Sequence, residues 1–93
     1  MMKVKVFANF REICQSKEVT VPYQEENNRV IDILESLIQM FPPLEDEVFT
    51  PDRTLKPFVH VFINGRNIIH EDGLHTRVKA DDQFALFPPV AGG

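Results

Sequence analysis

Residues 30–41, Val30-Ile31-Asp32-Ile33-Leu34-Glu35-Ser36-Leu37-Ile38-Gln39-Met40-Phe41, carry the best helical pattern in the chain. Val30, Ile33, Leu34, Leu37, Ile38 and Phe41 recur at i, i+3, i+4, i+7, i+8 and i+11, one stripe of a 3.6-residue period. Asn27 or Asn28 is placed to cap the N-terminus, and Asp32 stands near the first turn, where the helix dipole favours an anion. Pro42-Pro43 stops the helix near Met40–Phe41, because proline lacks the donor and crowds the preceding turn. A helix with one apolar stripe needs one apolar surface to cover, and the flanking sequence supplies strands for it.

On the N-terminal side, Lys3-Val4-Lys5-Val6-Phe7-Ala8 alternates polar and apolar residues, the pattern of a half-buried strand. Val4 and Val6 share one face, while Lys5 and Phe7 take the other. Residues 9–17 read as a loop with a short turn of helix. Glu18–Tyr23 reads as a second strand that Pro22 ends or holds at an edge. On the C-terminal side, Leu44–Phe49 is expected to make one helical turn and Thr50–Pro57 to be irregular, the whole stretch being the mobile part of the chain. Phe58–Ile63 is the strongest strand signal, rich in β-branched and aromatic residues. Asn64-Gly65 follows as a hairpin turn, and Ile68-Ile69-His70 is placed as the short returning strand. Asp72-Gly73 marks another turn. Asp81-Asp82 precedes a last strand, Gln83–Phe87, which Pro88-Pro89 ends. The order strand, strand, helix, strand, short strand, strand predicts an α+β domain, a mixed sheet with one main helix on one face, and the β-grasp arrangement fits it.

The 93 residues fit one domain, divided here into a body over 1–87 and a flexible tail over 88–93. A net charge of −4, with the ten Lys and Arg residues scattered, argues against nucleic-acid binding, which needs a basic stripe to displace counterions from phosphates. Such a chain suits a partner with a basic docking surface. Cys14 is the single cysteine, so no internal disulfide forms. The start of the chain lacks the apolar run of a signal peptide, and no stretch approaches a membrane span. The expectation is a cytoplasmic protein with no nucleic-acid or membrane partner.

The end of the chain carries the chemistry. After the last strand, Pro88-Pro89 stiffens an extended exit, and the residues then shrink through Val90 and Ala91 to Gly92 and Gly93. At a glycine usage of about 7%, a Gly-Gly end arises by chance in roughly 0.5% of chains, so the dipeptide alone is a modest signal. The taper directly after a strand is the stronger one: a chain without β-carbons approaches another backbone closely and enters a narrow channel. A terminal carboxylate is a poor electrophile until adenylation gives it a leaving group; a sulfur nucleophile then displaces the adenylate and leaves a thiocarboxylate. The chain has no Gly-x-x-x-x-Gly-Lys-Ser/Thr loop, so ATP and Mg²⁺ have to come with another protein.

Phe87-Pro88-Pro89-Val90-Ala91-Gly92-Gly93 resembles the C-terminal signature of the molybdopterin synthase small-subunit family, which stands with the thiamine-pathway sulfur carriers and, more distantly, ubiquitin. Lys3–Ala8 with Arg11-Glu12 resembles the family's opening strand and turn, Val30–Phe41 its helix, Val61–Gly65 its hairpin, and Asp81–Phe87 its last turn and strand. The resemblance implies a β-grasp fold and a C-terminal glycine, here Gly93, that is adenylated by an enzyme related to ubiquitin-activating enzymes and then thiocarboxylated. Gly92 lets the end pass a channel in the large synthase subunit, where the sulfur goes to a pterin precursor. The resemblance also places Phe7 and Phe87 on an apolar docking surface, with Pro88, Pro89, Val90 and Ala91 as further partner contacts. The chain is then a non-catalytic carrier subunit of a sulfurtransferase that binds no cofactor itself. The stretch from Pro43 to Pro57 is longer than in compact members of that family and is similar to archaeal relatives, some of which are attached to other proteins as ubiquitin-like modifiers. The alternatives are therefore a modifier conjugated through Gly93, a carrier for thiamine or tRNA thiolation, or a non-covalent interaction domain with an idle tail.

Other chemistry-bearing residues have plainer readings. Cys14 has no activating base nearby in sequence. His70, Glu71, Asp72 and His75 lack the spacing that puts two imidazoles on one helix face, so no metal site is assigned. His60 reads as a packed or exposed sheet residue. Phe62 is placed in the core, and Phe10 is open between core and surface.

Overall fold

Met2, Val4 and Val6 are fully buried and the lysines between them are exposed, so β1 (Met2–Val6) has one dry face and one wet one. The computed structural model describes residues 1–89. β1 pairs antiparallel with β2 (Glu18–Val21) and parallel with β5 (Phe84–Phe87). β5 pairs antiparallel with β3 (His60–Ile63), and β3 turns back into β4 (Arg66–Asn67). The sheet order is β2-β1-β5-β3-β4. With a helix across its inner face this is the α+β, β-grasp architecture that the element order predicts.

The register aligns buried residues across strands: Val4 lies opposite Val19 and Phe84, and Val6 and Val61 lie opposite Leu86. Onto this floor α2 (Val30–Met40) sets Val30, Ile33, Leu34, Leu37 and Ile38, all buried. Neither Asn27 nor Asn28 caps it. Arg29 occupies the capping position, and the Asp32 carboxylate accepts the Arg29 backbone N–H at 3.0 Å. The anion foreseen in the first turn therefore serves as the cap itself.

A short helix, α1 (Asn9–Cys14), drives Phe10 and Cys14 into the core. The Asn64-Gly65 turn has φ of 52° and 81°, the left-handed pair that closes a two-residue hairpin. The returning strand is Arg66–Asn67 rather than Ile68–His70. The Asn67 side chain accepts the Ile69 N–H at 3.0 Å and winds Ile68–His70 into a 3-10 turn, with Ile68 buried and Ile69 exposed.

The stretch expected to be mobile is pinned to the body. A 3-10 turn (Pro42–Leu44) runs into α3 (Glu45–Val48), and Leu44, Val48 and Phe49 are buried. Phe49 bridges Leu55, Thr50 donates its N–H to Thr54 at 2.8 Å, and Lys56 donates to the Val48 carbonyl at 2.9 Å. Arg53 reaches Glu35 of α2 at 2.8 Å and lies 4.7 Å above the Phe49 ring. The chain then enters β3 through a turn closed by Val59 N–H to Lys56 C=O at 3.1 Å, with Pro57 second and Phe58 third. Phe58 has φ of 70°, so this is the type II geometry that favours glycine at the third place. A phenylalanine there costs on the order of 1 kcal/mol.

The core under α2 sets stability. Leu37, fully buried, faces the sheet, while Met40 at the helix end is 46% exposed. Leu37→Ala is expected to cost about 2–5 kcal/mol, a large share of the roughly 5–15 kcal/mol available to a small domain. Met40→Ala is expected to stay within about 0.5 kcal/mol. Urea denaturation of both variants checks the contrast.

Candidate functional site

The last strand lies in the middle of the sheet, between β1 and β3. Phe84 and Leu86 point into the core, so Ala85 and Phe87 face outward. At the strand's end Phe87 stands opposite His60. Burial runs one residue further: Pro88 is buried and Pro89 exposed. Pro88, foreseen as a partner contact, therefore anchors the exit and offers no surface of its own. Val90, Ala91, Gly92 and Gly93, the other residues assigned to the reactive end, lie outside the described residues.

Around this exit the outer face is aromatic. The rings of Phe7 and Phe87 stack with centroids 4.2 Å apart and planes 7° from parallel. Phe62 meets Phe87 edge-on at 5.3 Å and 79°, and His60 meets Phe62 edge-on at 6.4 Å. Phe7, Phe62 and Phe87 are each half-buried and His60 is exposed. The structure thus brings Phe7 and Phe87 together on the outward face. It corrects Phe62, which joins them there instead of entering the core. Val59 and Val61 take the inward positions of that segment, and strand alternation turns His60 and Phe62 out. Phe10 is settled as core.

A residue that sequence reasoning left without a role holds this patch in shape. Arg11 donates from Nε to the Val6 carbonyl at 2.7 Å and lies 4.8 Å over the Phe7 ring. It reaches there because the chain turns sharply after β1: Phe10 donates its N–H to the Phe7 carbonyl at 3.1 Å, with Ala8 at φ 51°, ψ −130°. That conformation is native to glycine. The turn sends Phe10 inward and leaves Phe7 outside, under the Arg11 guanidinium. The alternation of β1 places Phe7 outward, but nothing in the sequence pattern marks Arg11 as its cover.

The remaining candidates do not converge. Cys14 is buried, and burial pushes its thiol above the ordinary range, away from the reactive thiolate. Glu71 accepts from Arg66 at 2.8 Å, and the His75 imidazole lies 3.4 Å from the Arg29 guanidinium. Among the described residues no three His, Cys, Asp or Glu side chains gather as a metal site. Among the same residues no helix is long and apolar enough to cross a membrane.

Comparison with known proteins adds to this geometry. The model of the ThiS family matches residues 4–93. Small archaeal modifier protein 3 of Haloferax volcanii is 35% identical over 92 residues, covering 99% of this chain and 98% of that protein. The crystal structure of small archaeal modifier protein 1 from the same organism superimposes with a TM-score of 0.86 at 36% identity, over 99% of this chain and 98% of that one. A Pyrococcus furiosus protein described as molybdopterin converting factor subunit 1 aligns with a TM-score of 0.74 at 29% identity, over 96% and 97% of the two chains.

The Arg11 clamp makes a measurable difference. Arg11→Ala removes a charge-assisted hydrogen bond to a core-strand carbonyl and the cover over Phe7. It is expected to cost about 1–3 kcal/mol. Arg66→Ala breaks an ion pair whose arginine is 71% exposed and is expected to cost less than about 1 kcal/mol. Denaturation of the two variants, with the Phe7 ring resonances as a local probe, tests the difference.

Proposed function

The chain belongs to the ThiS family of ubiquitin-like sulfur carriers, and from that premise we propose that it carries sulfur as a Gly93 thiocarboxylate for molybdopterin synthesis. In this reading it is the small subunit of the synthase. One observation carries it: the family match runs through residue 93, so the Phe87–Gly93 ending lies inside it, and the strand that delivers this ending leaves beside the Phe7–Phe62–Phe87 patch. A half-exposed aromatic surface at the root of a reactive terminus suits a partner that must grip the body while it takes the end. The likeness to the Pyrococcus furiosus protein supports molybdopterin as the destination.

Two partners follow from the chemistry. An adenylating enzyme related to ubiquitin-activating enzymes brings ATP and Mg²⁺ and converts the Gly93 carboxylate into an acyl adenylate. The large synthase subunit receives the thiocarboxylate. Phe7, Phe87 and Pro89 serve both as docking surface, Val90 and Ala91 span the entrance, and Gly92 lets Gly93 through. The work is done in the partners' sites, with this chain as the non-catalytic carrier.

A second reading is favoured by the two Haloferax volcanii relatives, both named as modifier proteins and both similar along almost the whole chain. In it, Gly93 is joined to lysines of target proteins. The two readings share the adenylation step and differ in the nucleophile that follows.

Intact mass spectrometry tests the proposal. After incubation with ATP, Mg²⁺, the adenylating enzyme of the same organism and a sulfur donor, the protein is expected to gain the mass of one oxygen exchanged for sulfur. Carboxylate alone after that treatment rejects the carrier reading. A ladder of heavier conjugates in cell extracts, lost on deletion of Gly92-Gly93, marks the modifier reading. One residue added after Gly93 is expected to abolish both.

A further inference from the structure

Phe58 is placed against the interests of the fold. It occupies the third position of a type II turn with φ of 70°, where glycine is the unstrained choice. The residue is 74% exposed, so burial does not compensate. Across a shallow apolar groove of about 380 Å³, lined by Leu55, Pro57, Phe58, His60, Ile69 and Leu74, stands Ile69, which is 73% exposed. Ile69 is also held out by design: Asn67 caps the turn that buries Ile68 and presents its neighbour. Two large apolar side chains, each held at the surface by a specific backbone geometry, line one groove.

Its position says what covers it. Phe87 lies opposite His60, so β5 finishes at the same end of the sheet at which β3 begins, and Phe58 precedes His60 by two residues. Residues 90–93 extend the chain by at most about 14 Å beyond Pro89. A protein that encloses Gly93 within that reach has to press on the surface around the exit. His60 belongs both to the groove and to the Phe7–Phe62–Phe87 patch, so the two surfaces are continuous. We propose that the Phe58–Ile69 groove is a second docking site for the adenylating enzyme, receiving an apolar side chain that projects beside the channel for the C-terminus. This rests on the carrier reading. Adenylation is the step that carrier and modifier roles share, so the groove serves whichever acceptor follows.

The test uses the full chain and the adenylating enzyme of the same organism, with pyrophosphate exchange followed against carrier concentration. Phe58→Gly relieves the turn, so its unfolding midpoint is expected to equal or exceed that of the unaltered protein. Phe58→Gly and Ile69→Ser are each expected to raise the KM for the carrier at least tenfold with kcat unchanged. Both KM values within twofold of the original overturn the proposal and leave the carrier reading standing. No exchange with the unaltered protein overturns both. A concentration-dependent dimer in sedimentation, abolished by Phe58→Gly, assigns the groove to a second copy and also overturns it.

Discussion

The parallel pairing of β1 with β5 is the contact on which the rest of this structure depends. It joins the first strand of the chain to the last, Val4 beside Phe84 and Val6 beside Leu86, and leaves β2 and β4 at the edges. A simple turn could not join β1 to β5: parallel neighbours need a crossover, and here the crossover is almost the whole protein. The helix α2 packs over the inner face during that passage. Because β5 ends in the middle of the sheet, the chain leaves between two strands rather than off a frayed edge. The strand that leads to the exit is therefore positioned by the ladders of both neighbours, through Leu86 on the β1 side and Phe87 on the β3 side.

That constraint divides the sheet into two faces with different work. The inner face is apolar and closed, and it supplies most of the stability through area removed from water. On the outer face, Phe7, Phe62 and Phe87 gather at the exit, each half-buried against its neighbours. Stacked and edge-on pairs contribute about 0.5–1.5 kcal/mol each, enough to hold three rings in a fixed shape before any partner arrives. A partner meeting such a surface spends less ordering it, which is where pre-formed sites gain affinity. Arg11 adds to this by fixing Phe7 from above.

The sequence makes the architecture legible because its periodicities are clean. One stripe from Val30 to Ile38, alternation from Lys3 to Phe7 and an Asn64-Gly65 turn leave few ways to assemble the chain. It fails where both faces of a strand are apolar. In Phe58-Val59-His60-Val61-Phe62-Ile63 hydrophobicity does not say which parity is buried, and Phe62 falls on the outer side because the valines fit the inner one. Asn67 is a second failure: its side-chain hydrogen bond to Ile69 ends a strand that composition alone would extend. The segment after Pro43 misleads for a third reason, since Leu44, Val48 and Phe49 are too few and too irregular to show a period, yet all three reach the core. The site divides the same way. The glycine ending and Phe7 are visible in the pattern, whereas Arg11 and Phe58 depend on turns whose strained residues, Ala8 and Phe58, are ones that turn rules would not choose.

Those two strained turns bear on how one fold serves different acceptors. Each lies at the rim of the sheet, away from the α2 interface that stabilises the domain, and each directs a side chain to the surface near the exit. Recognition residues can therefore change without disturbing the core under α2, and the core can drift without moving the exit, because β5 is held from both sides. In the proposed role the chain is recognised first by an activating enzyme and then by an acceptor, and this separation serves both steps. The two proposed partners would draw on the same few residues at the terminus, so discrimination between them falls to the surrounding surface. In this chain that surface is an aromatic patch drawn from the ends of β1, β3 and β5 on one side and strained, exposed Phe58 at the entrance to β3 on the other, continuous through His60. On the proposed reading, a change at Phe58 alters the activating enzyme's grip alone, whereas a change in the aromatic patch alters both partners' grip.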